Sequence, residues 1–110
     1  MGRFVKGQIV VLPFPFSDLS SAKNRPAFVV APLTGDDLIV CQITTVNRTD
    51  SYAIPVTTQD FVTGSLPHPS MIRANRLFTA DAKLIVRTAG TLSQRKIQEV
   101  INKIVEIVTT

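Results

Sequence analysis

The apolar positions of this chain fall in short runs separated by polar breaks marked by glycine and proline, until the last fifth, where their spacing changes. Residues 8–14 (QIVVLPF) form the first run and predict a β-strand after Lys6-Gly7. Residues 17–24 (SDLSSAKN) are small and polar without periodicity, which predicts a loop longer than most hairpin connections. Two more strands are expected at 26–33 (PAFVVAPL) and 38–46 (LIVCQITTV), joined by a tight turn centred on Gly35-Asp36. Residues 52–57 contain Pro55, which has no amide proton for a central ladder, so this run is expected at a sheet edge. Residues 70–75 and 84–89 are further strand candidates, and Gly64, Pro67 and Pro69 mark the loop between 57 and 70.

Towards the C-terminus Ile97, Val100, Ile101, Ile104, Val105 and Val108 recur at the spacing of one helix face. Ser93 is the expected N-cap, and Glu99 with Lys103 makes a correctly oriented i,i+4 pair. Arg95, Lys96, Asn102 and Glu106 fall on the polar face. Several strands followed by one amphipathic helix predict a mainly β fold, an antiparallel barrel or strongly bent sheet with a helix packed on it.

Composition narrows this picture. A chain of 110 residues suits one domain spanning 1–110, and 45% hydrophobic with 18% charged residues is globular, not disordered. Lys and Arg outnumber Asp and Glu by 12 to 8, giving a net charge of +4 that favours an anionic partner such as nucleic acid. Cys41, the single cysteine, has no partner for an internal disulfide and sits in an apolar run, so it is expected to be a buried small hydrophobe in a reducing, cytoplasmic setting. No Cys/His cluster suggests zinc, and no metal or cofactor is expected. No apolar stretch approaches the ~18–20 residues of a membrane span. Pro13 and Pro15 interrupt the N-terminal apolar run, which argues against a signal peptide.

The hairpin turn brings two candidate groups together. With Gly35-Asp36 as a two-residue turn, Ala27 lies opposite Thr44 and Val29 opposite Gln42. Arg25, two residues before Ala27, then shares a face with Thr44 as its diagonal neighbour, ~7–8 Å away. Pro26 biases the backbone of Arg25 toward an extended conformation. A one-residue slip in this register would carry Thr44 to the other face. A fixed guanidinium beside a hydroxyl, at the mouth of the 17–24 loop, suits the phosphate of a phosphodiester. Lys23 and Asp18 lie in that loop and would flank such a ligand, while Arg73 and Asn75, two residues apart on a strand, are expected to face the same way. His68, between Pro67 and Pro69, reads as a surface loop residue, and Phe14, Phe16 and Phe78 read more readily as core or interface than as stacking platforms.

The stretch Lys6–Phe16 (KGQIVVLPFPF), Arg25-Pro26 followed by AFVVAP, Ile43-Thr44, Ile72–Asp81 (IRANRLFTAD) and the helix opened by Leu92-Ser93 together resemble the MazF/PemK toxins. The resemblance covers nearly the whole chain. It implies a small Src-homology-3-like barrel of the CcdB/PemK type, acting as a homodimer. It also implies an endoribonuclease toxin that cuts single-stranded RNA without a metal, leaves a cyclic phosphate and a 5′-hydroxyl, and is held inactive by a cognate antitoxin. The family's arginine before proline falls on Arg25, and its threonine or serine after isoleucine falls on Thr44, which makes these two the expected catalytic residues. Lys23, Asp18, Arg73 and Asn75 are the expected RNA contacts. The chain departs from the pattern at Asn75, where some members carry a carboxylate, at Phe78, where many have arginine, and at Gln8, where an acidic residue is usual. A non-catalytic gyrase poison of the CcdB kind, or a nucleic-acid-binding module of the same fold that has lost catalysis, are the alternatives.

Overall fold

The computed structural model describes residues 4–15, 22–45 and 50–110. Seven strands and one helix follow one another: β1 (Gln8–Pro15), β2 (Ala22–Pro32), β3 (Asp37–Thr44), β4 (Ala53–Val56), β5 (Phe61–Gly64), β6 (Ser70–Asp81), β7 (Arg87–Leu92) and α1 (Gln94–Thr109). They form one antiparallel sheet in the order β4-β6-β3-β2-β1-β7-β5. The mainly β class, the bent antiparallel sheet and the C-terminal helix are as expected.

The central strands are apolar at nearly every position because both faces of the sheet are covered. On one face Ile9, Phe28, Cys41, Ile43 and Ile72 build the larger core. Ile54 and Val56 of edge strand β4, Phe61 of edge strand β5, and Ile97 and Val100 of α1 complete it, so the sheet curls into a half-barrel whose open side the helix closes. On the other face Val10, Leu12, Phe14, Ala27, Val29, Leu38, Val40 and Ala80 form a second core, roofed by Phe4, Phe78 and Ile85. Phe14 meets Phe78 edge to face, with ring centroids 4.9 Å apart.

Pro55 does lie on an edge strand. Ser93 does cap α1, its hydroxyl accepting the amide of Lys96 at 3.2 Å. Only Ile97 and Val100 of the helix's apolar stripe are fully buried, and Val105 and Val108 are exposed. The expected Glu99–Lys103 pair gives way to i,i+3 pairs, Lys96 with Glu99 at 2.9 Å and Lys103 with Glu106 at 3.3 Å. Lys96 is drawn inward because its ammonium also donates to the carbonyl of Pro55 at 3.0 Å and lies 3.9 Å from Asp60. Strand β5 has no counterpart among the expected elements. Its four residues offer one half-buried side chain, Phe61, and it forms by pairing with β7. The strand expected at 84–89 begins only at Arg87, because residues 82–84 make a 3-10 turn capped by Asp81, whose carboxylate accepts the amide of Lys83.

Gly7 joins three elements. Its amide donates to the carbonyl of Val29 and its carbonyl accepts from Leu92. Its φ of +95° belongs to the left-handed region, and a Cβ there would run into the side chain of Ile97.

Candidate active site

The β2–β3 hairpin departs from the simplest register twice. Leu33 and Asp37 pair across a three-residue loop, Thr34-Gly35-Asp36, with Gly35 at φ +78°. This moves β3 by one residue relative to a two-residue turn. A bulge then leaves Val30 without a partner, between the pairs Val29–Val40 and Ala31–Ile39, and moves the register by one more. The ammonium of Lys6 donates to the carbonyl of Val30 at 2.6 Å, which satisfies the acceptor at the bulge. Each shift alone would turn Thr44 to the other face, and the two together restore it.

Ala27 accordingly lies opposite Gln42, not Thr44. The last β2–β3 pair is Ala27–Gln42, and Arg25 and Thr44, each two residues beyond it on its own strand, share the face of that pair. Both side chains belong to the face of the second core: Arg25 pairs with Leu12, and Thr44 stands at the end of the series Leu38, Val40, Gln42. Arg25 is half-buried and Thr44 is buried. The sheet thus gives a cation and a hydroxyl the same face, just beyond the last β2–β3 pair.

Thr44 also pairs with Met71 of β6, so Arg73, two residues beyond Met71, joins the same face. The expected alternation of Arg73 with Asn75 does not persist. Between Cys41–Leu77 and Ile43–Ile72, β6 advances five residues while β3 advances two, an irregularity of three extra residues opposite Gln42. Arg73 is buried and Asn75 is exposed. The guanidinium of Arg73 lies 3.6 Å from Asp50, whose other oxygen accepts the amide of Tyr52 at 3.0 Å. Asp50 was not among the expected site residues. Its signal in the sequence was the Asp50-Ser51-Tyr52 turn, which is common to many loops.

Lys23, expected in the loop, lies on β2 opposite Phe14, exposed and two residues from Arg25 on the same face. The structure extends β2 back to Ala22 and so shortens the loop. Asp18 and Phe16 lie outside the described residues. Phe14 is buried, and with Phe78 it serves the second core. His68 is exposed on the β5–β6 loop, beside a small pocket walled by Val56, Phe61 and Leu66 of the larger core. Cys41 is fully buried, and desolvation pushes its thiol up to about 12, which keeps it protonated and inert at neutral pH. Among the described residues no three His, Cys, Asp or Glu side chains gather as metal ligands.

The profile of the PemK-like, MazF-like toxins of type II toxin–antitoxin systems matches residues 5–108. The chain belongs to this family. Solved structures with the same fold include an endoribonuclease in complex with its cognate antitoxin from a Mycobacterial species, 14% identical, with a TM-score of 0.74, covering 96% of this chain and 94% of the other. MazE-MazF (Form-II) from Deinococcus radiodurans is 15% identical with a TM-score of 0.74, covering 97% and 96%. The Mycobacterium tuberculosis toxin MazF-mt6 is 18% identical with a TM-score of 0.70, covering 91% and 93%. No curated protein matches the sequence.

Proposed function

We propose that this PemK/MazF-like toxin is an endoribonuclease that cuts single-stranded RNA without a metal, acting as a cytoplasmic homodimer restrained by a cognate antitoxin protein. The observation that carries the reading is the common sheet face of Arg25 and Thr44, on neighbouring strands, in a chain of this family. Similar structures include an endoribonuclease bound to its cognate antitoxin, which supports the same activity and partner here.

In this reaction the ribose 2′-hydroxyl gives up its proton and its oxygen bonds to phosphorus. The bond from phosphorus to the 5′-oxygen breaks, and that oxygen takes a proton. The products are a 2′,3′-cyclic phosphate and a 5′-hydroxyl. Negative charge builds on the two non-bridging oxygens during the step. A guanidinium that stays protonated at any physiological pH stabilises that charge, and a buried hydroxyl fixes the phosphate against it. Arg25 takes the first role and Thr44 the second. Lys23, Arg73 and Asn75 contact the flanking RNA, as does Asp18. Unpaired RNA suits such a reaction because its bases are free to be read on their edges.

The test is cleavage of a single-stranded RNA in the presence of a chelator, by wild type and by Arg25→Ala. Chelator-resistant cleavage that falls ~10²–10³-fold in a folded Arg25→Ala variant is expected, as for loss of a donor to transition-state charge. A folded variant that cuts undiminished removes Arg25 from the mechanism, and inhibition of gyrase supercoiling without RNA cleavage would assign the protein to the other activity of this fold.

A further inference from the structure

Gln42 is a polar side chain in the body of an apolar strand. The positions of β3 on the face of the second core run Leu38, Val40, Gln42, Thr44, while Cys41 and Ile43 fill the larger core on the other face. Gln42 is half-buried, and among the described residues no hydrogen bond engages its carboxamide. Withdrawing an amide from water without a partner costs stability, and an aliphatic residue between Val40 and Thr44 would avoid that cost. A carboxamide kept there, with its oxygen and its N–H groups uncommitted, is equipped for a ligand.

The surroundings narrow the ligand. Gln42 pairs with Ala27, whose methyl offers no polar group, and Arg25 and Thr44 lie just beyond that pair on the same face. On the other side the register irregularity leaves no residue of β6 paired with it. Two strand positions separate Gln42 from Thr44, a distance of ~6.6 Å along the chain. In a nucleotide the sugar stands between phosphate and base, so a group set back this far from a phosphate ligand meets a base.

A carboxamide presents an acceptor beside a donor, and its complement is a donor beside an acceptor. Of the four RNA bases, adenine alone shows that complement on both edges, N6–H with N1 on the Watson–Crick edge and N6–H with N7 on the other. We infer that Gln42 is a specificity-determining residue that reads an adenine next to the scissile phosphate through two hydrogen bonds. The inference rests on the endoribonuclease reading above and names what that site selects. Arg25 and Thr44 hold a phosphate that is the same in every nucleotide, and Gln42 supplies the sequence information.

The experiment is cleavage of a randomised single-stranded RNA pool by the full chain, with the cut ends sequenced, for wild type, Gln42→Ala and Gln42→Glu. Wild type should favour adenine at one nucleotide flanking the cut by about tenfold, the scale of one two-bonded base contact. In Gln42→Ala that preference is lost while preferences at other positions persist. Glutamate offers two acceptors, which match the adjacent N1–H and N2–H donors of guanine, so Gln42→Glu should move the preference to guanine even if its charge slows cutting overall. Gln42→Met, which keeps the length without the amide, takes the place of Gln42→Ala if the latter does not fold. An adenine preference that survives in the folded Gln42→Ala or Gln42→Met variant overturns the inference, as does a wild-type preference for another base at both flanking positions, and either result leaves the endoribonuclease reading standing. A folded wild type that leaves the pool uncut removes that reading and the inference with it.

Discussion

Replacing Gly7 by alanine separates two costs that are often confused. At φ +95° a side chain is strained, by ~1–2 kcal/mol for a left-handed backbone. The added methyl must also displace Ile97, which is buried in the larger core, and overpacking of this kind costs ~1–3 kcal/mol. Gly35 provides the control, because its φ is +78° but nothing lies within 4 Å of a Cβ built there. Gly35→Ala should therefore cost only the backbone strain, ~1–2 kcal/mol, and Gly7→Ala roughly 2–5 kcal/mol. For a chain of this length about 4 °C of Tm accompanies each kcal/mol, giving losses of roughly 4–8 °C and 8–20 °C. Thermal and urea unfolding followed by circular dichroism measures both. In Gly7→Ala/Ile97→Ala the methyl gains room, so the double variant should lose ~0.5–3 kcal/mol less than the sum of the single ones. If Gly7→Ala costs no more than Gly35→Ala, or if the double variant is strictly additive, α1 does not rest on Gly7.

Four further outcomes are expected. The Cys41 thiol holds its proton more tightly in the folded chain, about 12 against ~8.5 unfolded, so its contribution to stability is full below pH ~8.5 and is lost as pH rises toward 12, by up to ~1.4 kcal/mol per pH unit. Cys41→Ala should flatten that slope in urea titrations between pH 8.5 and 11. Ser93→Ala removes the acceptor for the Lys96 amide and should cost ~1 kcal/mol, read as a lower urea midpoint with an unchanged m-value. RNA affinity should fall linearly in log–log form with salt, with a slope of ~0.7 per phosphate contact, and Lys23→Gln should reduce that slope by about 0.7 while leaving the order of preferred sequences intact. Thr44→Val keeps the outline of a buried strand residue, so a drop in kcat of ~10-fold or more in the folded variant is expected, and an unchanged kcat would show that the hydroxyl is not used.

Features governed by neighbouring residues were legible in the chain. Pro55 on an edge, Ser93 at the head of the helix and the burial of Cys41 each follow from one residue and its surroundings. The shared face of Arg25 and Thr44 was legible for a less secure reason. The loop holds three residues instead of two, Val30 bulges out, and the two offsets cancel in orientation. No such cancellation helped Arg73 and Asn75. The register irregularity of β6 opposite Gln42 lies in its pairing with a strand distant in sequence, and nothing in IRANRL announces it. Asp50 is likewise joined to Arg73 only through the fold, across 23 residues of chain.

The paired irregularities of the β2–β3 ribbon make its polarity a matter of odd and even. Shortening the Thr34–Asp36 connection by one residue, or smoothing out Val30, would leave the strands able to zip yet turn Thr44 toward the greasy side beneath α1. Making both edits would bring it back. Variation in hairpin length among functional relatives should therefore come in compensated pairs, and a lone insertion there should yield a stable protein that has lost its grip on its ligand.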